Sequence, residues 1–183
     1  LEKVMPPAGT SLACLDRRLD EAIPFQWHHH PEYELTLTLN SRGQRFIGDH
    51  AAEYGDGDLV LIGPNLPHTW ASRDKLRATA PHVARVMWFH PDWAAGLIGI
   101  VPELRPVGGL LERAATGLKF SAPVAAAVRP LIDELFARPA GERLVVLLEI
   151  LLQLSMDNAA EPLATPMPVV SGDADRARID RVL

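Results

Sequence analysis

The sequence predicts a mainly β domain, a sandwich or barrel, followed by C-terminal α-helices. Three observations carry this reading. Residues 35–90 hold short apolar runs punctuated by Gly and Pro at intervals of roughly 8–12 residues, the rhythm of small antiparallel folds. Beyond residue 106 the composition turns rich in Ala and Leu with helical spacing. Finally, 48% of the 183 residues are hydrophobic, enough to build one good-sized core.

The elements follow in order. "LTLTLN" (35–40) alternates Leu with hydroxyl side chains, the period-two pattern of a half-buried strand. "RGQRFIGD" (42–49) continues with Gly43 and Gly48 as turn or bulge points, which puts Arg42 and Arg45 on a solvent-facing hairpin and His50 in a solvated turn. A Gly-Asp-Gly-Asp turn leads into "LVLI" (59–62), and "GPNLP" (63–67) turns the chain again. "HVARVMWFH" (82–90) is a further strand, with His82, Trp88 and His90 on one face as ordinary polar or core groups. "LLERAATGL" (110–118) is helical. A second helix covers 122–139, with Ser121 as N-cap, Pro123 in its first turn and Pro130 as a kink. The third, 141–158, is apolar nearly all round, with Leu144, Leu147, Leu148, Leu151 and Leu152 on overlapping rows, so more than one of its sides needs cover. A Pro-, Ala- and Asp-rich stretch (159–178) reads as a linker, and "DADRARIDRVL" (173–183) as an opening helix. The organisation is therefore a β-barrel over 1–106, a helical segment over 107–160, and a linker with the start of a further helix over 161–183.

Composition narrows the function. The formal net charge is −5, so the chain lacks the basic footprint that phosphate backbones require. The single cysteine, Cys14, forms no internal disulfide and fits a reducing compartment. No apolar run reaches the roughly 18 residues of a membrane span, and the first residues lack signal-peptide character, so a cytoplasmic location is expected.

The chemistry concentrates in "WHHHPEYE" (27–34). If the strand starts at Trp27 without a bulge, His28, His30, Glu32 and Glu34 share one face with Thr36 and Thr38. His29 then joins Leu35, Leu37 and Leu39 on the other and is expected at the surface. Imidazoles at successive inward positions suit a pocket rather than a solvated face. Two His two residues apart, with a carboxylate further on, form the greater part of a site for Zn, Ni, Fe, Cu or Mn. Glu32 rivals Glu34 for the carboxylate position if Pro31 introduces a bulge. Trp27, Trp70 and Trp88 lie near the same strands, as core packing or as a stacking wall for a ligand.

"HHHPEYE" and "GDLVLIGPNLPH" (57–68) together resemble the two motifs of the cupin superfamily, small double-stranded β-helix (jelly-roll) domains. The resemblance implies His28, His30, Glu34 and His68 as ligands of one divalent ion inside the barrel, Zn or Ni first, Fe or Mn next. The second motif departs from the family's pattern, with Gly63 and Asn65 where Pro and Gly are usual. The order of barrel, helices, linker and terminal "RARIDRVL" also resembles the N-terminal half of AraC-family transcription regulators. That likeness implies an effector-sensing barrel, with Thr36, Thr38, Trp27, Trp70 and Trp88 about the ligand. It also implies homodimerisation through the Leu-rich helix, and DNA binding through a C-terminal domain not contained in this chain. The competing expectation is a metal-dependent cupin enzyme, a dioxygenase or isomerase.

Overall fold

The computed structural model describes residues 1–166. Among the described residues, nine strands form two antiparallel sheets. β1 (Leu12–Leu19), β2 (Tyr33–Leu39), β5 (Asp58–Ile62), β7 (His82–Phe89), β8 (Leu118–Lys119) and β9 (Glu161–Pro162) make the larger, in the order β1-β7-β2-β5-β8-β9. β3 (Arg42–Ile47), β4 (His50–Tyr54) and β6 (His68–Asp74) make the smaller, in the order β4-β3-β6. The jelly roll expected of the cupin motifs is present. Four helices follow: α1 (Pro91–Ile100), α2 (Arg105–Arg113), α3 (Ala122–Ala137) and α4 (Arg143–Ser155).

The two faces of β2 explain the layering. Leu35, Leu37 and Leu39 turn outward from the barrel and join one hydrophobic core with Leu110, Val128, Ile132, Leu147 and Leu154 of the helices. Each such buried Leu is worth about 1.5–3 kcal/mol relative to exposure. Glu34, Thr36 and Thr38 turn the other way, into the barrel, whose second core gathers Ile47, Tyr54, Val60, Ile62, Leu66 and Trp70 between the sheets. The barrel and the helices therefore share the larger sheet as a common wall.

Several expectations change. The strand does not run on from Trp27. His28 makes an isolated bridge with His68, and regular pairing of β2 starts only at Tyr33, after Pro31 has interrupted the backbone. Arg45, expected in solvent, is 3% exposed, and its Nη1 donates to both carboxylate oxygens of Asp58, at 2.7 and 2.9 Å. Inward pairing across the barrel, rather than the hairpin, sets its environment. His50 is half-buried in β4 rather than solvated in a turn. The chain before the first expected strand also forms β1, paired with β7 along its whole length. Its run of Asp16, Arg17 and Arg18 hides the period-two signal. Gly43 does sit at a bulge, where a Cβ would lie 2.1 Å from the Ala71 carbonyl oxygen.

α3 runs unbroken through Pro130, and Ser121 caps it through backbone position without a side-chain hydrogen bond. α4 is shorter than expected. Leu147 and Leu151 are 0% and 2% exposed in this chain's own core and offer nothing to a second copy. Leu144, Leu148 and Leu152 are half-buried beside Val145, which is 71% exposed. The start of the expected linker is docked: Leu163 and Ala164 donate backbone hydrogen bonds to Gly117 and Thr116 (3.0 and 2.8 Å). The expected terminal helix lies outside the described residues. No helix among these residues is long and apolar enough to cross a membrane.

Candidate metal centre and cavity

His28, His30, Glu34 and His68 converge, with one donor atom from each lying within 4.8 Å of the others. That is the scale of donor spacing around one ion with bonds of about 2.0–2.2 Å. The route differs from strand parity alone. His28 and His30 sit on the irregular segment before β2, Glu34 is the second residue of β2, and His68 opens β6. The reciprocal backbone bonds between His28 and His68 (3.2 and 2.9 Å) clamp two of the donors side by side.

Backbone carbonyls orient all three rings. Nδ1 of His28 faces the Gln26 carbonyl at 2.7 Å, that of His30 faces Glu32 at 3.2 Å, and that of His68 faces Leu66 at 2.8 Å. Each contact places the proton on Nδ1 and leaves the Nε2 lone pair for the centre, the arrangement expected of metal-ligating imidazoles. Yet Nε2 of His30 and of His68 also face Glu34 Oε2, at 3.0 and 3.3 Å. A neutral imidazole has a single N–H, so both rings need a second proton or a cation between them and the carboxylate.

The electrostatics agree. Burial alone pushes the Glu34 carboxyl up, but the charge on His68 and hydrogen bonds from His30 and His68 outweigh it and hold the carboxyl well below its ordinary range. Burial pulls the His68 imidazole down, and the Glu34 carboxylate reverses this into a net rise. His28 is lowered, by burial first and by His68 second. The donor set of imidazoles and a carboxylate fits a borderline divalent ion. Glu32 lies outside the cluster. Its carboxylate lies 3.6 Å from Nδ1 of His30, the ring nitrogen turned away from the cluster.

His29 stays out of the cluster, as parity indicated, but it is 8% exposed rather than at the surface. The N-terminal segment covers this stretch, with the Glu2 N–H donating to the His29 carbonyl at 2.9 Å.

A cavity of about 410 Å³ opens beside the centre. Trp27, Trp70 and Trp88 line it together with Thr36 and Thr38, so all the residues expected near a ligand border one space. Trp70 also belongs to the barrel core, and Trp27 stacks on Phe25 with centroids 6.3 Å apart. Thr36 donates to Glu34 Oε1 at 2.6 Å and Trp88 Nε1 to Glu34 Oε2 at 2.7 Å, which ties the cavity wall to the centre. His82 is absent from the lining and contacts Ser41 at 3.0 Å instead, while His90 caps α1. Glu2, Arg17, Gln26 and Thr69 also line the cavity, and no sequence motif marks them. Alternate positions 13, 15 and 17 of β1 face inward, a pattern its charges conceal.

The model of the AraC-like ligand binding domain matches residues 13–153. The chain belongs to the AraC-like ligand-binding domain family. Membership makes it a regulatory, ligand-binding module rather than an enzyme. The AraC-like transcriptional activator CuxR is similar in structure over 92% of this chain and 59% of its own, with a TM-score of 0.55 and 12% identity. Partial likenesses include oxalate decarboxylase from Bacillus subtilis and the DMSP lyase DddQ from Ruegeria pomeroyi DSS-3. The decarboxylase is 20% identical with a TM-score of 0.37, over 45% of this chain and 22% of that one. The lyase is 27% identical with a TM-score of 0.33, over 45% and 40%. Comparison with curated proteins returns no match. In this AraC-like domain the family match spans β1 through α4 and so takes in both the barrel and the helices.

Proposed function

We propose that this domain senses a small, oxygen-rich molecule of sugar size for an AraC-type transcription regulator. In this reading His28, His30, Glu34 and His68 hold a divalent ion, with Zn or Ni favoured over Fe or Mn by the imidazole-rich donor set. The observation that carries the proposal is the junction of centre and cavity: Glu34 belongs to the donor cluster and to the lining of the cavity at once. A bound ion would supply a Lewis-acidic anchor for oxygen atoms of the effector. Thr36, Thr38 and Thr69 add hydroxyl partners, and Trp27, Trp70 and Trp88 add flat apolar walls.

The helices complete the reading. Leu144, Val145, Leu148 and Leu152 border an outward strip on α4 that would pack on the same strip of a second copy in the cytoplasm. DNA contact belongs to a C-terminal domain of the full-length protein. Ligand binding inside the barrel reaches α4 through Leu35 and Leu37, which pack under the helices from the same strand that carries Thr36. The test measures operator affinity and transcription for the full-length protein across a panel of sugars and sugar derivatives. Sensing predicts that one compound shifts both, and that Thr36→Val with Trp88→Ala abolishes the shift. If no compound alters either readout, the proposal fails.

A further inference from the structure

We infer that the effector is an organic acid whose carboxylate pairs with Arg17, which makes Arg17 the specificity-determining residue of the cavity. The inference deepens the sensing proposal and rests on it.

Strand register lays out the cavity floor as three rows. Glu34 lies opposite Trp88 in the row at the metal centre. Thr36, Val86 and Leu15 form the middle row. Thr38, Ala84 and Arg17 form the far row. All of these residues line the cavity. Four residues of strand separate the first row from the last, about 13 Å along the sheet. Both end rows line the one cavity of about 410 Å³, which has room for a molecule of sugar size. The small Ala84 beside Arg17 leaves the guanidinium room to lie over the sheet.

Charge then selects the ligand. The other arginines close by are engaged: Arg18 with Asp16, Arg45 with Asp58, and Arg85 with Asp133. Both acids on the lining are engaged as well. Glu34 takes His30, His68, Thr36 and Trp88, and Glu2 Oε2 lies 3.2 Å from His28 Nε2. The Arg17 side chain has no hydrogen-bond or ion-pair partner among the described residues, although the residue is half-buried on the cavity wall. A guanidinium drawn out of water without a partner favours an incoming anion, and its planar fork matches a carboxylate in two hydrogen bonds. A neutral sugar offers that fork hydroxyl acceptors but neither the opposite charge nor the paired oxygens of a carboxylate.

The experiment uses the metal-loaded chain and matched probes: glucuronate beside glucose, galacturonate beside galactose, and gluconate and malate beside glucitol. Calorimetry and melting temperature report binding. At least one acid should bind about 10- to 100-fold more tightly than its neutral partner, the scale of a hydrogen-bonded charge pair. Arg17→Gln should erase that preference and Arg17→Lys keep part of it, with metal content and melting temperature confirming an intact centre and fold. The assignment is overturned if no acid binds, if neutral partners bind as well, or if Arg17→Gln leaves the preference in place. Neutral-sugar binding that ignores Arg17 would overturn the acid assignment and leave sensing intact. A full-length protein unresponsive to every compound would overturn sensing itself.

Discussion

The indole N–H of Trp88 donates to Oε2 of Glu34 at 2.7 Å, from directly opposed positions on neighbouring strands. The same oxygen faces His30 and His68, so one cavity wall holds the carboxylate of the candidate centre in place. Trp88→Phe keeps the wall and removes the N–H. It should weaken metal binding about 10–100-fold, the usual effect of losing such a supporting hydrogen bond. Competition against a chromophoric chelator measures this, and unchanged affinity would refute the coupling.

The donor set itself is tested by elemental analysis of the purified chain. The wild type should carry close to one ion per chain, and the His28→Ala, His68→Ala double variant should lose it. Equal metal content in the two proteins would remove the centre from consideration.

α4 separates two roles on one helix. Leu147 and Leu151 fill the chain's own core, so Leu→Ala at either should cost about 2–5 kcal/mol of unfolding free energy. Val145 is exposed, and Val145→Glu should leave unfolding within about 0.5 kcal/mol. It should nonetheless shift sedimentation from dimer toward monomer. A monomeric wild type, or a variant that sediments unchanged, would exclude this strip as the contact.

Gly63 marks the altered second motif, and its role is steric. A Cβ there would lie 2.5 Å from the Ala114 carbonyl oxygen, a backbone atom unable to swing aside. Gly63→Ala should therefore cost about 1–3 kcal/mol by overpacking, read from denaturant midpoints. The neighbouring Asn65 takes the left-handed conformation at φ 60°, which Gly adopts freely, so Asn65→Gly should be nearly neutral.

His82 gives a pH signature remote from the centre. Burial, and then the charge on Lys75, lower its pKa below the ordinary 6.5. The folded protein thus holds His82 neutral more firmly than the unfolded chain does. Its contribution is complete above pH 6.5 and is lost as pH falls through the lowered value. Stability-versus-pH curves for the wild type and His82→Asn should diverge as pH falls from 6.5 through the lowered value, with the variant flatter across that window. Parallel curves would exclude the effect.

Period-two alternation in residues 34–39 is legible in the sequence alone, because a strand points successive side chains to opposite faces whatever it packs against. It separates Glu34, Thr36 and Thr38 from Leu35, Leu37 and Leu39 correctly. The spacing of His28, His30 and a following carboxylate is legible too, while Glu34 as that carboxylate and His68 as a fourth donor are what the resemblance to the cupin motifs implies, and the structure brings these four side chains together.

Other features depend on residues distant in sequence. Arg45 is buried because Asp58 on β5 reaches it, and the sequence around Arg45 reads as a solvated hairpin. His29 is buried in a stretch to which the N-terminal segment returns, with the Glu2 N–H on the His29 carbonyl. Of the six α4 leucines, which three fill the core (Leu147, Leu151 and Leu154) was decided by where α2 and α3 dock against a helix apolar on most of its surface. Arg17 enters the cavity only through the pairing of β1 with β7, between segments about seventy residues apart. The sequence by itself determined which side chains share a face, because backbone geometry sets that within a few residues. Only the tertiary structure decided what each face meets, because burial and charge pairing are set by neighbours that the fold brings together.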